Sequence, residues 1–189
     1  MIMSRDLVLP EITGVRDVAR SRLFRIEEVG LCFSNGTQAR YERIPGGNGA
    51  VMVIPFDGKS FMFTREYCVG TESYELGFVK GKIDSGESPE EAALRELQEE
   101  IGFGARKLTH LRTITFAPGF MGLMMYIFMA EDLYPSRLTG DEPEEIQVFP
   151  YSVSETRDLV LNPDSPLRES RCITGLVHAL TIVNKSPLV

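Results

Sequence analysis

The sequence predicts an α+β fold, an α/β/α sandwich on a mixed β-sheet, and three observations carry that expectation. Short apolar runs, punctuated by Asn-Gly, Asp-Gly and Pro-Gly breaks, read as strands through much of the chain. A single sharply bounded helix interrupts them near residue 88. The last third carries apolar residues at helical spacing. Strands on both sides of one helix, with further helix at the end, fit helices packed on a central sheet.

Each element follows from its own residues. Residues 1–20 mix charge and apolar character without a firm period, and Pro10 and Gly14 punctuate them. Leu23 to Phe33 is strand-like, Ser34-Asn35-Gly36 is a turn, and Gln38 to Ile44 is the returning strand. Pro45-Gly46-Gly47 breaks the pattern, so residues 1–44 are expected to form a β-hairpin extension and residues 45–189 the main domain. Ala50 to Phe56 and Ser60 to Tyr67 suggest a second hairpin around Asp57-Gly58. Glycines at 70, 77, 81 and 86 mark a loop-rich stretch.

The helix start is strongly signalled. Ser88 offers an N-cap, Pro89 the first helical residue, and Glu91 the partner of a capping box. The helix should run to about Ile101 and stop at Gly102. Strands follow near 106–116 and 123–131, the second holding the buried-looking run LMMYIFM. An acidic loop occupies 139–145. Ser152 or Ser154 opens a short helix to Leu161. From Pro166 to Asn184, the residues Ile173, Leu176, Val177, Leu180 and Val183 mark a packing helix.

Composition narrows the function classes. With 189 residues and 43% apolar content, the chain can bury a core as one domain with a small appendage. A net charge of −7 argues against a nucleic-acid or anionic-membrane partner, and against an enzyme acting on messenger RNA ends. A polyanionic substrate would need a bound cation. Cys32, Cys68 and Cys172 are odd in number and widely spaced, which points to buried thiols in a reducing cytoplasm. No run is apolar for long enough to span a membrane.

The chemistry concentrates in GKIDSGESPEEAALRELQEEIGF, residues 81–103. On a helix, Glu96, Glu99 and Glu100 stand at i, i+3 and i+4 and share one face. Clustered carboxylates repel unless a cation neutralises them, and a hard divalent ion with oxygen ligands does so. Glu87 lies in the loop before the helix, where Arg95 could pin it by an ion pair. A glutamate-rich helix is usually only a solvated face. The whole pattern, however, has a chance frequency on the order of one in ten million.

That pattern matches the Nudix box at every fixed position. With REYCVGTESYELGFVKGKIDSGES, SRLF, FSNG, YERI, EEIGFGA and LYPSRLTGDEPEE, it makes the chain resemble Nudix hydrolases of the ADP-ribose pyrophosphatase branch. Within that branch it looks like the bacterial ADP-compounds hydrolases, over about residues 14–185. Pro118 sits where the ADP-ribose-cleaving enzymes tend to have a proline, whereas the run Gly119 to Met124 lacks a glutamate common in that branch.

The resemblance implies a metal-dependent enzyme that cleaves the pyrophosphate of ADP-ribose, NADH or short diadenosine polyphosphates and releases AMP. It implies Mg2+, with Mn2+ as a substitute, held by Glu96, Glu100, Glu144 and the backbone carbonyl of Lys80. It makes Glu142, Glu144 and Glu145 of the acidic loop the candidate bases, Glu142 favoured, with Glu99, Arg95 and Glu87 completing the catalytic set. Arg65 resembles a phosphate contact, and Glu42 and Arg43 line an adenosine pocket. The branch further implies a homodimer in which the N-terminal strands lend residues to the partner's site. The rival reading is a non-catalytic ADP-ribose or NAD sensor, disfavoured by the intact box. His110 and His178 lack ligand spacing and read as structural.

Overall fold

A computed structural model describes residues 7–184. The chain divides into two compact units, one of Met1–Gly47 with Thr115–Met124, the other of Asn48–Ile114 with Met125–Val189.

In the first unit, β1 (Glu11–Arg20), β2 (Arg25–Cys32) and β3 (Gln38–Arg43) form an antiparallel sheet in the order β1-β2-β3. The expected hairpin is β2–β3. Its turn places Gly36 at φ 82, in the left-handed region that glycine adopts without a Cβ penalty. The Gly36 N–H donates to the Phe33 carbonyl at 2.8 Å. No strand was legible in residues 11–20, yet β1 adds a third strand there. Register shifts at Ile12/Gly14 and Asp17/Ala19 break its alternation, which hides the period-two signal. Glu27 is buried and held by Arg25 at 3.0 Å and Arg43 at 2.9 Å. Ile44 exchanges backbone hydrogen bonds with Phe120 and Gly122, tying the 115–124 segment into this unit.

The second unit holds a four-stranded sheet of β4 (Ala50–Pro55), β7 (Val79–Lys82), β8 (Phe103–Thr115) and β9 (Met124–Pro135) in the order β7-β4-β9-β8. It is mixed, because β4 runs antiparallel to β7 and parallel to β9. A three-stranded antiparallel sheet has the order β10-β5-β6, from β10 (Gln147–Ser152), β5 (Ser60–Cys68) and β6 (Ser73–Gly77). The helices are α1 (Pro89–Glu100), α2 (Val153–Leu161) and α3 (Ser170–Asn184).

Alternation along β4 makes the sandwich. Val51 and Val53 pack with Ala92, Ala93 and Leu97 of α1. Met52 and Ile54 face α3, where a Cβ at Gly175 would lie 2.7 Å from Ile54 Cδ1 and 2.8 Å from Met52 Cε. All six β4 residues are buried, as expected of a strand covered on both faces. The hairpin expected around Asp57-Gly58 does not form. The turn is present, with Asp57 Oδ1 accepting the Lys59 and Ser60 N–H groups, but only an isolated bridge at Phe56↔Phe61 follows it. β4 already pairs with β7 and β9 on its two edges, so β5 enters the other sheet. Two strands, β6 and β7, occupy the stretch whose glycines suggested loop. Of the cysteines, Cys172 is buried, while Cys32 and Cys68 are only half-buried.

Candidate active site

Helix α1 begins as its sequence dictates. Ser88 Oγ accepts the Glu91 N–H at 3.2 Å and the Glu91 carboxylate accepts the Ser88 N–H at 2.8 Å, a complete capping box. Such a cap contributes about 1 kcal/mol and fixes where the helix starts. It thereby fixes which side chains face the sheet. Ala92, Ala93 and Leu97 turn inward, and the acidic face lies alongside β7.

Arg95 organises that face. Its Nε and Nη2 each donate to Glu87 at 2.9 Å, and Nη2 also donates to the Lys82 carbonyl at 3.0 Å. Nη1 reaches Glu96 at 2.7 Å and Glu99 at 3.0 Å. The expected Arg95–Glu87 pin is therefore present, in the two-pronged geometry that suits a guanidinium. Arg95 is raised above its ordinary value, first by its bond to Glu87, and Glu87 is held below the usual carboxylate range by Arg95.

Glu96 and Glu100 meet the backbone of β7. Glu100 is only 6% exposed, and its Oε1 accepts the Lys80 N–H at 3.1 Å. Burial pushes its carboxyl up to about 8, against the pull of the Lys80 amide and ammonium. Burial also raises Glu96, opposed by Arg95. A Cβ at Gly81 would run into the Glu96 carboxylate, so glycine there is a steric requirement of the site. Among the described residues, no three acidic, histidine or cysteine side chains are already gathered around one point as metal ligands. The donor set nonetheless fits a hard divalent cation. It is all oxygen, the Lys80–Gly81 backbone lies beside both carboxylates, and a cation there would restore the charge that burial disfavours.

The acidic loop is stapled to the C-terminal end of α1. The Ser136 N–H donates to the Gly102 carbonyl at 2.9 Å, the Leu138 N–H to Gln98 at 3.1 Å, and Gln98 Nε2 to Ser136 Oγ at 2.6 Å. The Arg137 guanidinium fills the space where a Cβ of Gly102 (φ 75) would be, with Nε 2.7 Å away. A cleft of about 410 Å³ results, lined by Glu99, Glu100, Arg137, Glu142, Glu144 and Glu145 among others. Glu142 is raised first by burial, then by Glu66 and Asp141. Glu144 accepts the Tyr74 hydroxyl at 3.2 Å.

Arg65 is exposed on β5 with its guanidinium 5.3 Å from the centre of the Phe149 ring. Glu42 and Arg43 belong to the first unit. With Tyr41, Pro118, Phe120 and Met121 they help line a cleft of about 460 Å³ there. His110 and His178 contact Thr113 and Arg112.

Sequence reasoning missed the side chain of Lys80. Its ammonium is nearly buried, 2.6 Å from Glu66, 2.7 Å from the Phe78 carbonyl and 3.8 Å from Glu169. Glu66 and Glu169 come from stretches of chain distant from Lys80, so no local spacing announces them. Arg137 and Tyr74 escaped for the same reason.

Comparison with known proteins agrees with this fold. Residues 10–43 match the NudE-type Nudix hydrolase N-terminal domain, and residues 47–168 the NUDIX domain. The chain is 49% identical over 175 residues to the ADP compounds hydrolase NudE of Escherichia coli strain K12, covering 92% of this chain and 93% of that protein. It is 31% identical over 137 residues to an ADP-ribose pyrophosphatase of Bacillus subtilis strain 168, covering 71% and 73%. A crystal structure of an ADP compounds hydrolase superposes with a TM-score of 0.89 at 45% identity, covering 98% of this chain and all of that one.

Proposed function

This chain belongs to the Nudix hydrolase family, whose members depend on a divalent metal, and from that premise we propose that it hydrolyses the pyrophosphate of ADP-containing compounds and releases AMP. ADP-ribose, NADH and short diadenosine polyphosphates are the proposed substrates. The observation that carries the reading is the paired approach of Glu96 and Glu100, one turn apart on α1, to adjacent residues of β7 at Gly81 and Lys80.

Glu96, Glu100 and the Lys80 carbonyl would hold Mg2+, with Glu144 as a further contact and Mn2+ as a substitute. When bound, the cation offsets phosphate charge and makes water more acidic. Arg95 orients Glu96 and Glu99 and locks the Glu87 loop, so the acidic face is set before substrate arrives. Glu142 takes the proton from the attacking water, a role suited to a partly desolvated carboxylate. The water oxygen bonds to one phosphorus, the bridging P–O bond breaks, and its electrons leave on the departing phosphate. Arg65 steadies the substrate phosphates. AMP and a sugar phosphate, or AMP and a second mononucleotide, are the products.

Residues 1–44 serve assembly in this reading. Ile12, Val15 and Val18 are exposed on β1 and Phe24 in the turn that follows it, which suits an isologous contact with a second copy. Glu42 and Arg43 would then contribute to the neighbouring subunit's adenosine pocket. Three free cysteines fit a reducing cytoplasm, and no described helix is long and apolar enough to cross a membrane. The intact acidic face argues against a non-catalytic sensor.

A substrate panel with Mg2+, reading AMP, tests the proposal. AMP should appear from ADP-ribose, NADH and diadenosine polyphosphates. No AMP from any of them would overturn it.

A further inference from the structure

The edge of the β10-β5-β6 sheet carries an unusual surface. Edge strands commonly bear charged or polar side chains that blunt them. Here β6 is the edge, and it presents Tyr74 beside Tyr67 of β5, its direct cross-strand partner. The two rings stand edge to face with centroids 5.6 Å apart, and the residues are 52% and 56% exposed. An edge-to-face pair leaves one ring face open to a third ring.

The pair sits at the rim of the acidic cleft. The Tyr74 hydroxyl donates to Glu144 at 3.2 Å, and Glu144 lines the same cleft as Glu99, Glu100 and Glu142. Arg65 lies two residues before Tyr67 on β5, so the two side chains leave the same face of the strand, roughly 7 Å apart along it. That spacing is about the length of one ribose. A phosphate at Arg65 therefore brings a ring attached through ribose to Tyr67.

We infer that Tyr67 and Tyr74 form a stacking platform for the second aromatic ring of a dinucleotide substrate, the nicotinamide of NADH or the second adenine of a diadenosine polyphosphate. The inference rests on the proposed pyrophosphate cleavage and assigns the half of the substrate that is not AMP. ADP-ribose, which ends in a bare ribose, does not use the platform. It serves as the internal control.

The experiment compares wild type, Tyr67→Ala and Tyr67→Phe in the full-length protein. KM and kcat are measured for ADP-ribose and NADH, and binding of reduced nicotinamide mononucleotide is measured by calorimetry. Tyr67→Ala should raise KM for NADH about tenfold, the size of a lost base–aromatic stack, and leave KM for ADP-ribose unchanged. Tyr67→Phe keeps the ring and should stay near wild type. The mononucleotide should bind wild type and lose about the same factor in Tyr67→Ala. A KM change shared equally by both substrates, or absent from both, overturns the platform. So does a mononucleotide that binds Tyr67→Ala as well as wild type, or that does not bind wild type. A wild type that releases no AMP would sink the proposed function, while the mononucleotide arm still decides the platform.

Discussion

β1 and β4 are opposites. All ten residues of β1 are exposed, including Ile12, Val15 and Val18, whereas all six residues of β4 are buried. β4 has a strand on each edge and a helix on each face, so its burial is completed within the chain. Among the described residues β1 pairs with β2 alone, and its apolar side chains Ile12, Val15 and Val18 are left exposed. The contrast teaches a division of labour. The β4 region is a finished scaffold on which α1 is packed. The β1 region is exposed, and the assembly proposed above would cover it with a second copy of the chain.

Variants that break this contrast differ in size of effect. The largest is in the loop stapled to the scaffold. Glu142→Gln should lower kcat roughly a thousandfold with little change in the metal concentration for half activity, as loss of a base requires. Glu144→Gln should instead shift that metal concentration. If both variants behave like wild type in a metal titration of AMP release, the loop is surface and the base lies on α1. A pair of glycines gives a smaller and cleaner contrast. Gly81→Ala drives a Cβ into the Glu96 carboxylate and should cost about a hundredfold in kcat. Gly14→Ala in β1 meets nothing within 4 Å in the single chain, and its kcat should stay at the wild-type value within error. Equal effects at the two sites would erase the distinction between scaffold and arm. The smallest change in chemistry should come from Val15→Glu with Val18→Glu. Light scattering should give wild type twice the 21.2 kDa chain mass and the double variant one chain. KM should rise about tenfold with kcat nearly kept, as expected when a neighbouring subunit's contacts are lost. A wild-type monomer with full activity would remove the arm's proposed role.

The same contrast explains what could be read from the residues. α1 was legible because its signals are local: Ser88, Pro89, Glu91 and Gly102 fall within one stretch of chain. Arg95, Glu87, Glu96 and Glu100 were legible for the same reason. The pairing of β4 was not, because the Asp57 turn says only that the chain reverses, and says nothing of which edge is still open. β1 was hidden by its bulges and its exposure, which remove the burial period that marks a strand. β10 was hidden by its position at a sheet edge and by Pro150 within it. Around the site, Lys80 with Glu66 and Glu169, Arg137 over Gly102, and Tyr74 with Glu144 join distant stretches. Only the fold brings them together.

Cleavage is proposed to occur at the acidic face of α1, and Glu100 is the most buried carboxylate of that face. Wild type and Glu100→Gln, compared for AMP release from ADP-ribose at saturating Mg2+ after circular dichroism has shown both folded, test it most directly. Turnover should be at least a hundredfold lower in the variant. A folded Glu100→Gln protein with near-normal AMP release would contradict it.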